Sequence, residues 1–167
     1  MNLHLMRHGL AVERGTPGYD SDRERPLTAK GERKIRRVAE ALLRMELSFD
    51  VVLSSPLVRA RQTAEVLIEE LKARLKLQLT EYLSPGGRAK DLMRLIQGLP
   101  GSPQEVLLVG HEPDLGQLAS LLLTGGDALS VNFKKGGIAR LAVGNLQAGR
   151  CATLEWLLTS RQLERMA

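Results

Sequence analysis

The stretch NLHLMRHG, residues 2–9, begins as an apolar run and ends in a basic pair followed by glycine. The run over 2–6 has the length and the composition of a short buried strand. In α/β proteins with parallel sheets, ligands bind at the carboxyl ends of the strands. Residues 2–9 therefore predict a buried strand that carries Arg7 and His8 at the ligand-binding edge of a sheet.

Strand and helix patterns alternate along the rest of the chain. A polar loop is expected over 13–25, and Thr28 is predicted to cap a helix that runs to about Glu46 and buries Leu43 among its apolar residues. The strand Val51–Ser54 follows, and Ser55-Pro56 predicts the start of the next helix. The remaining expected elements are strands over 77–79, 106–109, 137–143 and 151–158, with helices over about 88–97 and from Pro113 to Gly125.

This alternation predicts one α/β domain over residues 1–167. Strands that alternate with helices favour a mostly parallel sheet covered on both faces, which is a three-layer α/β/α sandwich. The last two strands are joined by a short turn that contains glycine and asparagine, so we expect them to be antiparallel. We find no internal repeat and no low-complexity segment.

The composition excludes several classes of protein. The 167 residues are 43% hydrophobic and 26% charged, as in ordinary globular proteins. The single cysteine, Cys151, excludes an internal disulfide, and its apolar neighbours predict a small buried side chain. There is no apolar run of ~18 residues that could span a bilayer. The N-terminal segment lacks the apolar core of a signal peptide, so a cytoplasmic protein is expected.

The charge balance favours an anionic partner. Lys and Arg number 24 against 19 Asp and Glu, which gives a net charge of +5. Aromatic residues are only 3% of the chain, too few for a surface on which bases stack. Acidic or phosphorylated substrates fit the charge equally well, and nucleic acid is not expected as a partner. Nothing in the sequence suggests a large apolar interface, so we expect a monomer.

Two histidines and two arginines follow the ends of predicted strands. Arg7 and His8 follow the first strand, Arg59 lies one turn after residues 54–56, and His111 follows the strand over 106–109. Guanidinium groups bind phosphate oxygens, and a helix N-terminus adds backbone donors. A neutral imidazole can attack phosphorus and form a covalent intermediate, and nearby positive charge keeps it neutral. These residues predict phosphoryl transfer without a metal or a cofactor.

Three motifs resemble the histidine phosphatase superfamily, also called the phosphoglycerate mutase-like family. They are LMRHG at 5–9, SSPLVRARQTA at 54–64 and VGH at 109–111. The stretch RPLTAKG at 25–31 and the short chain resemble the small SixA-type branch, the phosphohistidine phosphatases. The resemblance implies that His8 is the nucleophile. It also implies that Arg7 and Arg59 hold the phosphoryl group, that His111 completes the pocket, and that a protein bearing phosphohistidine is the substrate.

The general acid is open at this stage. Glu81 lies in the region where larger members of the family carry an acidic residue, and it is equally well interpreted as a solvated strand end. An alkoxide leaving group needs a proton from such an acid. A phosphohistidine leaves as imidazole, whose pKa is only about 6.5, so its hydrolysis can proceed without one.

Two other functions remain open. One is a small-molecule phosphomonoesterase or a mutase-like enzyme on the same scaffold, with Glu81 as the acid. The other, from a different class, is a non-catalytic module that binds phosphorylated proteins.

Four further residues are interpreted from their positions in the sequence. Arg25 and Gly9 are expected to contact the substrate, with an ion pair near the loop as the alternative for Arg25. His4 alternates with leucines in the first strand and is interpreted as structural. Arg61 is two residues beyond Arg59, about 200° around the helix, and should point away from the site.

Overall fold

A computed structural model describes residues 1–72 and 75–167, and its centre is a β-sheet of six strands within those residues. The strands are β1 (Asn2–Arg7), β2 (Val51–Ser54), β3 (Leu77–Leu79), β4 (Glu105–Gly110), β5 (Ile138–Val143) and β6 (Ala152–Leu158). Their spatial order is β3-β2-β4-β1-β5-β6. All the strands expected from the sequence are present.

The sheet is mostly parallel. β4 pairs in parallel with both β1 and β2, and β2 pairs in parallel with β3. β5 is antiparallel to β1 and to β6. The predictions of a mostly parallel sheet and of an antiparallel pair at the end of the chain are therefore confirmed.

Five helices occur in the described residues: α1 (Ala29–Arg44), α2 (Val58–Glu70), α3 (Ala89–Gln97), α4 (Asp114–Thr124) and α5 (Ser160–Glu164). Single 3₁₀ turns lie at Asp22–Glu24 and Glu81–Leu83. Thr28 caps α1 through the Gly31 N–H, as predicted. The sequence reading missed α5, because five residues are too few to show helical periodicity.

The predicted start of α2 was wrong. The helix begins at Val58, with Leu57 as its N-cap, and not at Ser55-Pro56. Ser55 Oγ accepts a hydrogen bond from the Leu57 N–H at 3.2 Å, so Ser55 and Pro56 form a turn ahead of the helix. That turn leaves the Ser55 hydroxyl at the carboxyl end of β2.

Two apolar clusters cover the two faces of the sheet, which confirms the three-layer architecture. Leu3 and Leu5 of β1 pack into the cluster that includes residues of α3 and α4. Met6 packs into the opposite cluster, which includes residues of α1, α2 and α5. Because successive strand residues point to opposite faces, the short strand supplies both clusters.

Two predictions of burial were wrong. Leu43 is exposed, because the buried stripe of α1 passes through its neighbour Leu42. Cys151 is a free, half-buried thiol, since it precedes the edge strand β6 and is covered from one side. Within the described ranges, no helix is long and apolar enough to cross a bilayer.

Candidate active site

The sheet register brings the three predicted strand ends together. Arg7 at the end of β1 lies opposite Gly110 at the end of β4, and the His8 N–H donates to the Gly110 carbonyl at 3.1 Å. The Ser55 N–H donates to the Val109 carbonyl at 3.0 Å. The ring centroids of His8 and His111 are 5.0 Å apart. Residues that are about 100 positions apart in the chain therefore share one pocket edge.

His8 is held in one tautomer. Its Nδ1 lies 2.7 Å from the Gly9 carbonyl oxygen, and a carbonyl only accepts, so Nδ1 carries the proton. Nε2 is then unprotonated, and its lone pair accepts a hydrogen bond from Arg59 Nε at 3.3 Å. The imidazole is 7% exposed. Its geometry is that of a neutral base whose reactive nitrogen faces a guanidinium.

Burial lowers the pKa of His8 to about 3. The charges of His111, Arg59 and Arg7 add smaller contributions in the same direction. The expectation that the arginines keep His8 neutral is therefore correct in sign, although desolvation is the larger cause. At neutral pH the ring holds no positive charge.

Arg59 lies in the first turn of α2 and is 4% exposed. Its Nη1 donates to the Asp22 carbonyl at 2.6 Å, and its Nη2 donates to Asp22 Oδ2 at 2.9 Å. Asp22 thus holds the outer edge of the guanidinium, which leaves Nε–H directed at His8. Thr63, one turn further along α2, accepts the Gly9 N–H at 3.0 Å and so links the helix to the segment that carries His8.

Asp22 is a residue of the candidate site that was not predicted from the sequence. Besides Arg59, its carboxylate accepts hydrogen bonds from Arg25 and from Arg14. Although burial raises the pKa of Asp22, the hydrogen bonds from Arg25 and Arg59 hold it well below its usual value. One signal could have found it: an aspartate three residues before Arg25 in an arginine-rich loop.

Arg7, the last residue of β1, is held by a backbone carbonyl. Its Nη1 donates to the Phe133 carbonyl at 2.7 Å, and its Nε has no hydrogen-bond partner among residues 1–72 and 75–167. A buried N–H without a partner costs free energy unless something binds it. Arg7 therefore keeps a free donor for an oxyanion.

His111 is 2% exposed and directs Nε2 at Ser55 Oγ, 2.9 Å away. Burial lowers its pKa to about 3, and the charge of Arg59 adds to this effect. His8 and His111 are thus two neutral imidazoles beside two guanidinium groups. Such a set can bind a tetrahedral oxyanion and supply both a nucleophile and hydrogen-bond donors.

Glu81 is placed differently from a ready general acid. Its side chain is 62% exposed and pairs with Arg23 at 2.6 Å, and it accepts the Ser84 hydroxyl at 2.6 Å. The hydrogen bond from Arg23 and then that from Ser84 lower its pKa. A general acid must hold a proton at working pH, and these contacts stabilise the ionised carboxylate.

Arg25 and Gly9 have structural contacts in the unliganded protein. Arg25 donates from Nε and Nη2 to Asp22 and from Nη1 to the Val12 carbonyl, which is the ion-pair alternative considered for it. A Cβ on Gly9 would lie 2.9 Å from Ile35 Cγ1, so α1 packs against this backbone. Contacts of either residue with a substrate stay a prediction.

Two further residues lie where the sequence placed them. His4 is buried, and its Nε2 lies 2.5 Å from Glu105 Oε2. Arg61 is half-buried, with its side chain 43% exposed, and lies beside Glu65 on α2. Neither residue is a neighbour of the candidate site.

Comparison with known proteins defines the class. The family model of the histidine phosphatase superfamily (branch 1) matches residues 3–85. An uncharacterized protein of Picosynechococcus sp. is 39% identical over 146 residues, covering 86% of each chain. The chain belongs to the histidine phosphatase superfamily, which confirms the resemblance carried by the three motifs.

Relatives within the superfamily narrow the comparison. The phosphohistidine phosphatase SixA of Escherichia coli (strain K12) is 31% identical over 126 residues, covering 75% of this chain and 76% of that protein. The solved structure of the protein histidine phosphatase SixA complexed with tungstate superposes with a TM-score of 0.84 at 28% identity. The superposition covers 98% of this chain and 99% of that one. This chain is therefore similar to SixA over nearly its whole length.

Proposed function

We propose that this protein is a phosphohistidine phosphatase that removes the phosphoryl group from a phosphohistidine side chain of another protein. The observation that supports this most directly is the geometry of His8, whose unprotonated Nε2 accepts a hydrogen bond from the Nε–H of Arg59. The likeness to the phosphohistidine phosphatase SixA and to the protein histidine phosphatase SixA supports this substrate class.

The first proposed step transfers the phosphoryl group to His8. Nε2 of His8 attacks phosphorus, the P–N bond to the substrate ring breaks, and its electron pair leaves on the substrate nitrogen. The substrate ring reacts with a proton on its other nitrogen, so it departs as neutral imidazole. Arg59 Nε–H already points at His8 Nε2. When phosphorus bonds to that nitrogen, the phosphoryl oxygens lie beside this donor. Arg7 and His111 complete the set of donors around those oxygens, so charge is stabilised as it shifts.

The second proposed step regenerates the enzyme. Water attacks the phosphoryl group on His8, the new P–N bond breaks with its electrons returning to Nε2, and phosphate leaves. Because Nδ1–H stays hydrogen-bonded to the Gly9 carbonyl at 2.7 Å, the ring keeps its orientation through both steps. The arginines and His111 supply the charge stabilisation in this proposal, and no metal or cofactor is invoked.

The leaving group favours a P–N over a P–O substrate. A phosphohistidine ring that carries a proton on its second nitrogen leaves as neutral imidazole, and protonating that nitrogen takes only a group of pKa about 6.5, whereas an alkoxide needs an acid. The acidic candidate from the sequence, Glu81, is exposed and stabilised in its ionised form by Arg23 and Ser84. A phosphoprotein is accordingly the proposed partner. That the chain is one domain, acts as a monomer and works in the cytoplasm stays a prediction.

A substrate panel tests the proposal. The purified protein is assayed with a histidine-phosphorylated protein domain, with a glycerate phosphate and with a sugar phosphate. We expect turnover of the phosphohistidine protein to exceed that of both esters. Faster ester turnover would favour the phosphomonoesterase, and binding of phosphoprotein without any phosphate release would favour the non-catalytic module.

A further inference from the structure

A chain of hydroxyl groups connects His111 to the protein surface. His111 Nε2 is 2.9 Å from Ser55 Oγ, Ser55 Oγ is 3.4 Å from Ser84 Oγ, and Ser84 Oγ is 2.6 Å from Glu81 Oε2. His111, Ser55 and Ser84 are buried, whereas Glu81 is exposed. A buried imidazole is thus connected to an outer carboxylate through two serines.

The direction of each hydrogen bond follows from the groups themselves. An ionised carboxylate only accepts, so Ser84 gives its single hydroxyl proton to Glu81. Ser84 can then only accept a hydrogen bond from Ser55, so the single hydroxyl proton of Ser55 is directed at Ser84. Ser55 already accepts the Leu57 N–H at 3.2 Å, and its second lone pair accepts from His111. The proton of neutral His111 is therefore on Nε2.

The other nitrogen of His111 agrees with this assignment. Nδ1 of His111 has no hydrogen-bond partner in the part of the chain that the structure describes. Buried N–H groups without a partner are rarer than buried acceptors without one, so an unprotonated Nδ1 is the less costly arrangement.

We infer that Ser84, with Glu81 as its acceptor, is a positioning residue that makes oxyanion binding at His111 proton-coupled. The inference rests on the proposed function, in which His111 donates to a phosphoryl oxygen. Because Nε2–H is committed to Ser55, only Nδ1 is left to donate, and it must first take up a proton. The bound state then contains a His111 imidazolium, with both nitrogens protonated.

The charges around His111 determine whether its imidazolium form is stable. Arg59, Arg7 and Arg25 oppose protonation of His111, whereas Asp22 favours it. Asp114 of α4 lines the same small pocket as His111, and neutral His8 faces it across the site. A dianionic ligand among these groups adds two negative charges to a cluster with three guanidinium groups, and so favours the imidazolium.

Nitrogen-15 NMR of the histidine side chains tests the inference, with tungstate as the oxyanion probe. The chain has only three histidines, so signals are assigned with single His4 and His8 variants. In the free protein we expect His111 Nε2 protonated and Nδ1 unprotonated, with both protonated after tungstate is added. In free Ser84→Ala, the Ser55 proton turns to Nε2, so the His111 signals shift towards the Nδ1–H form.

Two variants serve as controls. Ser84→Thr keeps the hydroxyl and should retain the wild-type pattern. Ser120 lies on α4, and its buried hydroxyl donates to the Gly126 carbonyl. Ser120→Ala removes this hydroxyl and should leave the His111 signals unchanged.

The outcomes separate the inference from the proposed function. Free His111 protonated on Nδ1, tungstate binding without protonation of Nδ1, or a Ser84→Ala spectrum like that of the wild type would each overturn the inference. All three results are compatible with phosphatase activity. A loss of the His8 requirement for turnover would instead overturn the proposed function.

Discussion

Arg59 Nε donates to His8 Nε2 at 3.3 Å, so the guanidinium points at the nitrogen that the proposed reaction uses. The contact joins the start of α2 to the segment that follows β1, two parts of the chain that are 51 residues apart. Because Asp22 holds the outer edge of the same guanidinium, the inner edge stays directed at His8. The position of Arg59 relative to His8 is therefore set in the unliganded protein.

Replacing Arg59 tests the importance of that donor. Arg59→Ala should lower kcat/KM for a phosphohistidine protein by ~10²–10³-fold, the size found when one transition-state donor is removed. Arg61→Ala is the matched control, because Arg61 is on the same helix but pairs with Glu65 instead of contacting His8. An Arg59→Ala enzyme within threefold of the wild type would contradict the assigned role.

Asp22→Ala tests whether Asp22 orients Arg59. Loss of a hydrogen bond to a charged group costs about 1.5–3 kcal/mol, so we expect kcat to fall by at least tenfold. Asp20→Ala, an exposed carboxylate in the same loop, is the control and should behave like the wild type. If Asp22→Ala were more active than the wild type, Asp22 would be a group that blocks the site.

Glu81→Gln tests the general acid. Glutamine can still accept the Ser84 hydroxyl, but it cannot donate an acidic proton. Hydrolysis of the phosphohistidine protein should change by less than about threefold, a difference of under ~1 kcal/mol in the barrier. Any residual ester hydrolysis should drop much further. A large loss of phosphohistidine turnover would show that a carboxylic acid takes part in the P–N reaction.

The buried neutral histidines predict how stability depends on pH. The pKa of His8 and of His111 is about 3 in the folded protein against 6.5 for the free side chain, and that of His4 is also lowered. Between these two values the unfolded chain binds more protons than the folded protein. The contribution of the buried histidines to the free energy of unfolding is therefore present above pH 6.5 and is lost as the pH falls towards about 3. Each histidine contributes at most about 1.4 kcal/mol per pH unit.

Urea unfolding at several pH values between 5 and 6.5 measures this slope, because most carboxylates stay ionised there. Replacing His8 and His111 together by asparagine should reduce the slope. A free energy of unfolding that does not change between pH 6.5 and 5 would contradict the neutral, buried state of these rings.

The main elements of the fold could be predicted from local patterns. The run over 2–6 and the Thr28 cap have clear signals, because strand length, apolar composition and capping are properties of neighbouring residues. The start of α2 was misplaced, since the Ser55-Pro56 signal competes with a contact between Ser55 and His111 that comes from another strand. The short helix α5 has no periodicity to detect.

The core of the candidate site could be predicted because its residues follow strand ends. His8, His111 and Arg59 were expected together, and the structure places them together. Asp22 was missed, since its contact with Arg59 depends on how a 3₁₀ turn folds over the pocket. The link from Ser84 to His111 likewise requires the register of β2 and the position of the turn at Glu81–Leu83.

His8 is the proposed acceptor of the phosphoryl group. The measurement that tests this role is phosphate release from a histidine-phosphorylated protein by the wild type and by His8→Ala, with rapid quenching to trap the phosphoenzyme. We expect an acid-labile phosphoryl group on wild-type His8 and no measurable turnover by the variant. Undiminished turnover by His8→Ala would contradict the role of His8 as the acceptor.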